Sequence, residues 1–240
     1  MSKKALKTGI VATTLCGALV ATAMPADAAL ILRLSDGTTT VTVQDGGAGD
    51  VNPVPGAVTF VGVVGGFGVN VSTGLSKPFV GPAELDLNSI NATSTGFGGG
   101  SLTIDLTDTD YDFGIGSGGS LDWLWGGTTT AGTTTPGSTV TGQGWKNLDN
   151  EEFGFGPIQT GLLGPFSGAF STAGSALHPV LTDPYSMTIR IIYTATGAGQ
   201  TYSGDFNLQN VAVPEPAGVA LFGLGLTAVA MAFRRRRRTE

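Results

Sequence analysis

Short stretches of alternating apolar and polar residues recur through the middle of this chain, bounded by glycine, proline, asparagine or aspartate. Residues 101–106 are the cleanest, setting Leu102, Ile104 and Leu106 against Thr103 and Asp105. A period of two sends successive side chains to opposite faces of a strand, one buried and one wet. Residues 185–194 repeat the pattern with Met187, Ile189 and Ile191 on one face, and residues 200–208 follow as the expected hairpin partner. Residues 29–34 open as a strand, turn through Ser35-Asp36-Gly37 and return over 38–43, where Asp45-Gly46-Gly47 ends the run. Residues 57–64 and 67–72 flank Gly65-Gly66, a two-residue hairpin turn. Residues 84–95 alternate less regularly through Leu85, Leu87 and Ile90, which leaves room for a bulge. Residues 126–144, rich in threonine and glycine, read as a loop or a long exposed hairpin because they offer little to bury. Residues 153–173 scatter aromatics among glycines and give no placed element. With no soluble helix and no fixed-period repeat, the expected fold is all-β: an antiparallel, jelly-roll-like β-sandwich forming one exported domain over residues 29–211.

The two ends follow different rules. Lys3, Lys4 and Lys7 precede an apolar run over 9–23, and Ala26-Asp27-Ala28 then offers small residues for cleavage before Ala29. Residues 1–28 therefore read as a secretory signal peptide, cut between Ala28 and Ala29. Cys16 is the only cysteine and lies inside it, so the mature chain has no disulfide and no thiolate chemistry. At the other end, Pro214-Glu215-Pro216 precedes an uncharged apolar run over 217–233, and Arg234, Arg235, Arg236, Arg237 and Arg238 follow at once. As a helix that run spans roughly 26 Å, close to the hydrocarbon thickness of a bilayer. The arginines act as a stop-transfer cluster and hold the C-terminus in the cytoplasm, leaving residues 29 to about 213 outside the inner membrane.

Residues 212–240 resemble a PEP-CTERM sorting signal of Gram-negative bacteria, on the Pro-Glu-Pro motif, the adjoining apolar span and the arginine cluster. The resemblance implies that an exosortase, a membrane-embedded enzyme, cuts near the motif and passes the exported domain to the cell surface or extracellular matrix. It also implies a host that makes exopolysaccharide, biofilm or floc. An ordinary C-terminal anchor obeys the same insertion physics and is the alternative. The first half of the exported part, residues 29–113, looks like domains often joined to this signal. That likeness rests on Leu34-Ser35-Asp36-Gly37, the run from Gly68 to Gly74 and Leu85-Asp86-Leu87-Asn88-Ser89, and it carries no catalytic residue over.

Setting the two ends aside changes the charge. Of 12 lysines and arginines only Arg33, Lys77, Lys146 and Arg190 remain, against 15 of the 18 acidic residues, for a net charge of −11. Such a surface repels phosphate backbones, which argues against nucleic-acid binding.

Three constellations bear on chemistry. Asp108, Asp110 and Asp112 occupy alternate positions, with Asp105 before them, and clustered carboxylates suit calcium. An EF-hand is excluded, since Phe113 stands where its glycine belongs and Gly119 where its last acid belongs. The alternative is a set of solvated strand-end aspartates. Trp123 and Trp125 share a face of one strand, either as core or as a platform on which sugar rings stack. Gly114-Ile115-Gly116-Ser117-Gly118-Gly119 has dinucleotide-fingerprint spacing but no helix after it, so it reads as a loop. His178, the only histidine, reads as a loop or strand-start residue, and no Gly-x-Ser-x-Gly elbow accompanies it. The expected function is that of a non-catalytic exported protein. The alternatives are a carbohydrate-binding module for exopolysaccharide, with calcium assisting, and a secreted hydrolase using a carboxylate pair.

Overall fold

The computed structural model describes residues 29–212 apart from 97, 117, 131–136 and 182–183, together with Leu224. The signal peptide with Ala28, the Pro214-Glu215-Pro216 motif, the 217–233 span as a whole and Arg234 to Arg238 lie outside the described residues. Among the described residues no helix is long and apolar enough to cross a membrane.

Two antiparallel sheets make up the fold. The first contains β1 (Ile31–Ser35), β2 (Thr40–Gln44), β6 (Gly100–Tyr111), β8 (Thr139–Asn147), β9 (Ile158–Gln159), β10 (Leu163–Phe166) and β12 (Tyr185–Ala195). Its order is β10-β8-β12-β6-β1-β2, with β9 paired to β8. The second contains β3 (Ala57–Val64), β4 (Phe67–Leu75), β5 (Glu84–Ser94), β7 (Gly119–Thr129), β11 (Ala169–His178) and β13 (Thr201–Ala212), in the order β11-β7-β13-β5-β4-β3. From β5 onward the chain passes repeatedly between sheets, so β12 lies between β6 and β8 while β13 lies between β5 and β7. A jelly roll interleaves its strands in the same way.

The alternation seen in the sequence decides which faces meet. Leu102, Ile104 and Leu106 of β6 and Met187, Ile189 and Ile191 of β12 are all fully buried. They share one core with Leu85 and Leu87 of β5 and Phe206 and Leu208 of β13. Trp125 of β7 stacks on Phe206 with ring centroids 5.3 Å apart and meets Phe166 and Phe170 edge-on. Room for the indole comes from the opposite sheet: a Cβ at Gly142 of β8 would stand 2.9 Å from the Trp125 ring.

The outer face of the first sheet is covered by a strap over residues 148–157. Phe153 N–H donates to Thr107 Oγ1 and Ser186 Oγ donates to the Glu151 carbonyl. Beneath it Asp105, 2 % exposed, pairs with both Arg33 and Arg190. Their guanidinium groups lie over the rings of Phe153 and Phe155.

Two expectations need correction. Residues 126–144 are not an exposed hairpin, since their ends belong to β7 and β8 in opposite sheets. Residues 200–208 do not pair with 185–194, because β13 and β12 likewise sit in different sheets. Residues 153–173, unplaced from sequence, supply β9, β10 and the start of β11. The Gly65-Gly66 hairpin forms as expected, with Val64 opposite Phe67.

Candidate functional site

A polar groove lies on the outer face of the second sheet. Register places Ser171 of β11 beside Gly126 of β7, and Gly126 beside Asp205 of β13. The next row runs Ala173, Leu124, Asn207 and Asp86 across four strands. Small residues in the first row leave a groove of about 490 Å³ lined by Glu84, Asp86, Leu124, Gly126, Ser171, Asp205 and Asn207.

Two carboxylates meet in it. Asp86 is 9 % exposed, its Oδ2 receives only a long 3.4 Å bond from Asn88, and its Oδ1 has no donor. Burial, and then the neighbouring Asp205 carboxyl, push the Asp86 carboxyl up to about 7. Glu84 at the groove's edge accepts a hydrogen bond from Asn207 Nδ2. None of the described lysines or arginines pairs with Asp86 or Asp205.

The residues singled out from sequence lie elsewhere and do not converge. Asp108 is fully buried, where Ser76 Oγ and Lys77 Nζ donate to its Oδ2. Asp110 is exposed and bonds Asn150 Nδ2 at 2.7 Å, and Asp112 is exposed. The strict alternation behind that triad is broken by a bulge: β6 spends three steps from Asp108 to Tyr111 while β12 spends two, and Asp110 takes φ of 59°. Among the described residues no group of three or more His, Cys, Asp and Glu side chains is placed to hold a metal ion. Trp125 is fully buried and has no face for a sugar ring. Trp123 is half-buried, packs against the core and lies across Gly174 of β11. The tryptophans therefore share a strand face, and that face looks inward.

Other polar groups were not legible as a site. Lys146, His178 and Asn210 meet inside the sandwich at one end. The run Val140, Gly142, Gly144, Lys146 offered a signal, because alternation puts a lysine on the core face. Asp86 and Asp205 offered none, since an aspartate between two leucines reads as an ordinary solvated residue until its neighbour strand is known.

The tail follows directly from β13, whose last residue is Ala212. Residues 212–238 match the family model of the PEP-CTERM protein-sorting motif. The tail is a PEP-CTERM sorting motif. No curated protein matches the chain. The PEP-CTERM motif implies export, membrane-associated sorting and processing by exosortase. The last strand of the fold ends at Ala212, where the matched motif begins.

Proposed function

We propose that this protein is a non-catalytic component of the cell surface or extracellular matrix of a Gram-negative bacterium. Residues 1–28 direct export, the apolar 217–233 span and Arg234 to Arg238 hold an inner-membrane intermediate, and exosortase cuts near Pro214-Glu215-Pro216. The match over residues 212–238 carries this reading. Its test is the mass and fractionation of the mature protein from its native host with and without exosortase. The expected product starts at Ala29 and loses its tail only when the enzyme is present. A tail retained in both strains would reduce the motif to a plain anchor.

A second reading, binding of exopolysaccharide, is favoured by the groove on the second sheet rather than by the tryptophans. Glu84, Asp86, Asp205 and Asn207 present acceptors and an amide to hydroxyl groups along an open face. Calcium assistance in this reading falls to Asp86 and Asp205, whose oxygens no described cation neutralises.

A further inference from the structure

Lys146 is the one described cation with no carboxylate beside it. Arg33 and Arg190 pair with Asp105, and Lys77 pairs with Asp108. Lys146 is instead fully buried on the core face of β8, with its Nζ 3.8 Å from the Tyr185 ring centroid. Its Nζ lies 2.7 Å from Asn210 Oδ1 and 3.5 Å from His178 Nε2. An ammonium held by an amide and a ring face leaves its charge uncompensated. Burial accordingly pulls the Lys146 amine down to about 7, which gives it a nucleophilic lone pair near neutral pH.

The amide is held in one orientation. Asn210 Nδ2 donates to the Phe113 carbonyl at 3.1 Å and to Tyr185 Oη at 2.9 Å, so Oδ1 must face the lysine. His178 Nε2 stands 2.7 Å from that oxygen, and its Nδ1 stands 2.8 Å from the Pro179 carbonyl. Both oxygens only accept, so the Nε2–H tautomer of the ring donates to Asn210 Oδ1 and the Nδ1–H tautomer to the Pro179 carbonyl. An amine, a carbonyl carbon polarised by a hydrogen-bond donor, and a leaving nitrogen pinned on the far side are thus brought together away from water.

We propose that Lys146 and Asn210 condense into an intramolecular isopeptide bond that joins the two sheets. The Nζ lone pair attacks Cγ of Asn210, and the His178 N–H stabilises the negative charge that develops on Oδ1. The C–Nδ2 bond then breaks and the carbonyl re-forms. Nδ2 departs as ammonia with the proton that Nζ loses, leaving a secondary amide and His178 in its starting state. No oxidant, cofactor or second protein enters the balance. The link crosses from β8 in one sheet to β13 in the other, four residues before Pro214. It gives a mature chain without cysteine the covalent closure that a disulfide would supply.

The full chain, extracted in detergent from a host lacking exosortase, is digested with trypsin and a Glu-specific protease. The linked protein yields residues 85–151, uncut after Lys146, joined to residues 191–234 and lighter by one ammonia than the two peptides together. Recovery of 85–146 and 191–234 as separate peptides of full mass would overturn the proposal. Asn210→Ala and Lys146→Arg, each checked for its β-sheet circular dichroism, are expected to abolish the joined species. A joined species that survives either change would equally overturn it.

Discussion

At the residue scale, burial rather than charge count decides what each acid does. Fifteen acidic groups lie in the exported part, yet Asp105 and Asp108 are tied up by cations while Asp86 faces another carboxylate. An acid raised in the fold from an ordinary 3.8 to about 7 keeps its proton while the unfolded chain has lost it. Folding stability therefore falls as pH rises from about 4 to 7 and stays low above that window. Asp86→Asn removes the repulsion and keeps a hydrogen-bonding group. We expect it to stabilise the protein at pH 8 by about 1–2 kcal/mol after solvent screening, with no gain at pH 4. Denaturant unfolding at the two pH values reads this directly, and an equal effect at both would dissociate Asp86 from the pH dependence. Asp86 could not be distinguished in the sequence, because Asp205 meets it only through the β5–β13 pairing. Asp108, Asp110 and Asp112 misled for the converse reason: a left-handed residue at Asp110 turns neighbouring acids to different surroundings, and nothing local announces it.

At the element scale, strands with alternating leucine, isoleucine or valine were legible, and strands built on glycine were not. β8 reads as low complexity, yet Gly142 and Gly144 are core positions kept small for Trp125 and Leu208 of the facing sheet. Glycine inside a strand marks a close approach whose partner lies far along the chain. Gly126 has the opposite use. A Cβ there meets nothing nearer than the Phe170 carbonyl at 3.6 Å, so a side chain would fill the groove without disturbing the sheet. If the groove holds polysaccharide, Gly126→Leu should reduce retardation in affinity electrophoresis through host exopolysaccharide by about tenfold or more. That figure corresponds to about 1.4 kcal/mol of binding energy. Equal retardation of the variant, or none for the parent with and without calcium, would remove the groove from the binding reading.

At the scale of the whole molecule, the class of fold was readable because its core obeys a period of two, while strand order was not. Consecutive strands β12 and β13 looked like a hairpin because each alternates well, yet alternation fixes only a strand's faces and leaves its partner open. The passage of the chain between the two sheets instead puts β13 in the middle of its sheet, between β5 and β7, as the last strand before the sorting motif. Phe206 and Leu208 of that strand are fully buried, and the core cluster ends at Leu208. The matched motif begins where β13 ends. A chain stopped after Val213 keeps every described residue of the core and should unfold within about 2 °C of the full-length protein, a shift of at most about 1 kcal/mol for a domain of this size. The same chain should lose exosortase-dependent processing altogether. A chain stopped after Gln200 lacks the central strand and should not fold at all, since β5 and β7 would each lose their shared partner. Thermal melts of the two truncations beside the parent distinguish these outcomes. A large loss of stability in the longer truncation would mean that the tail is part of the fold as well as its address.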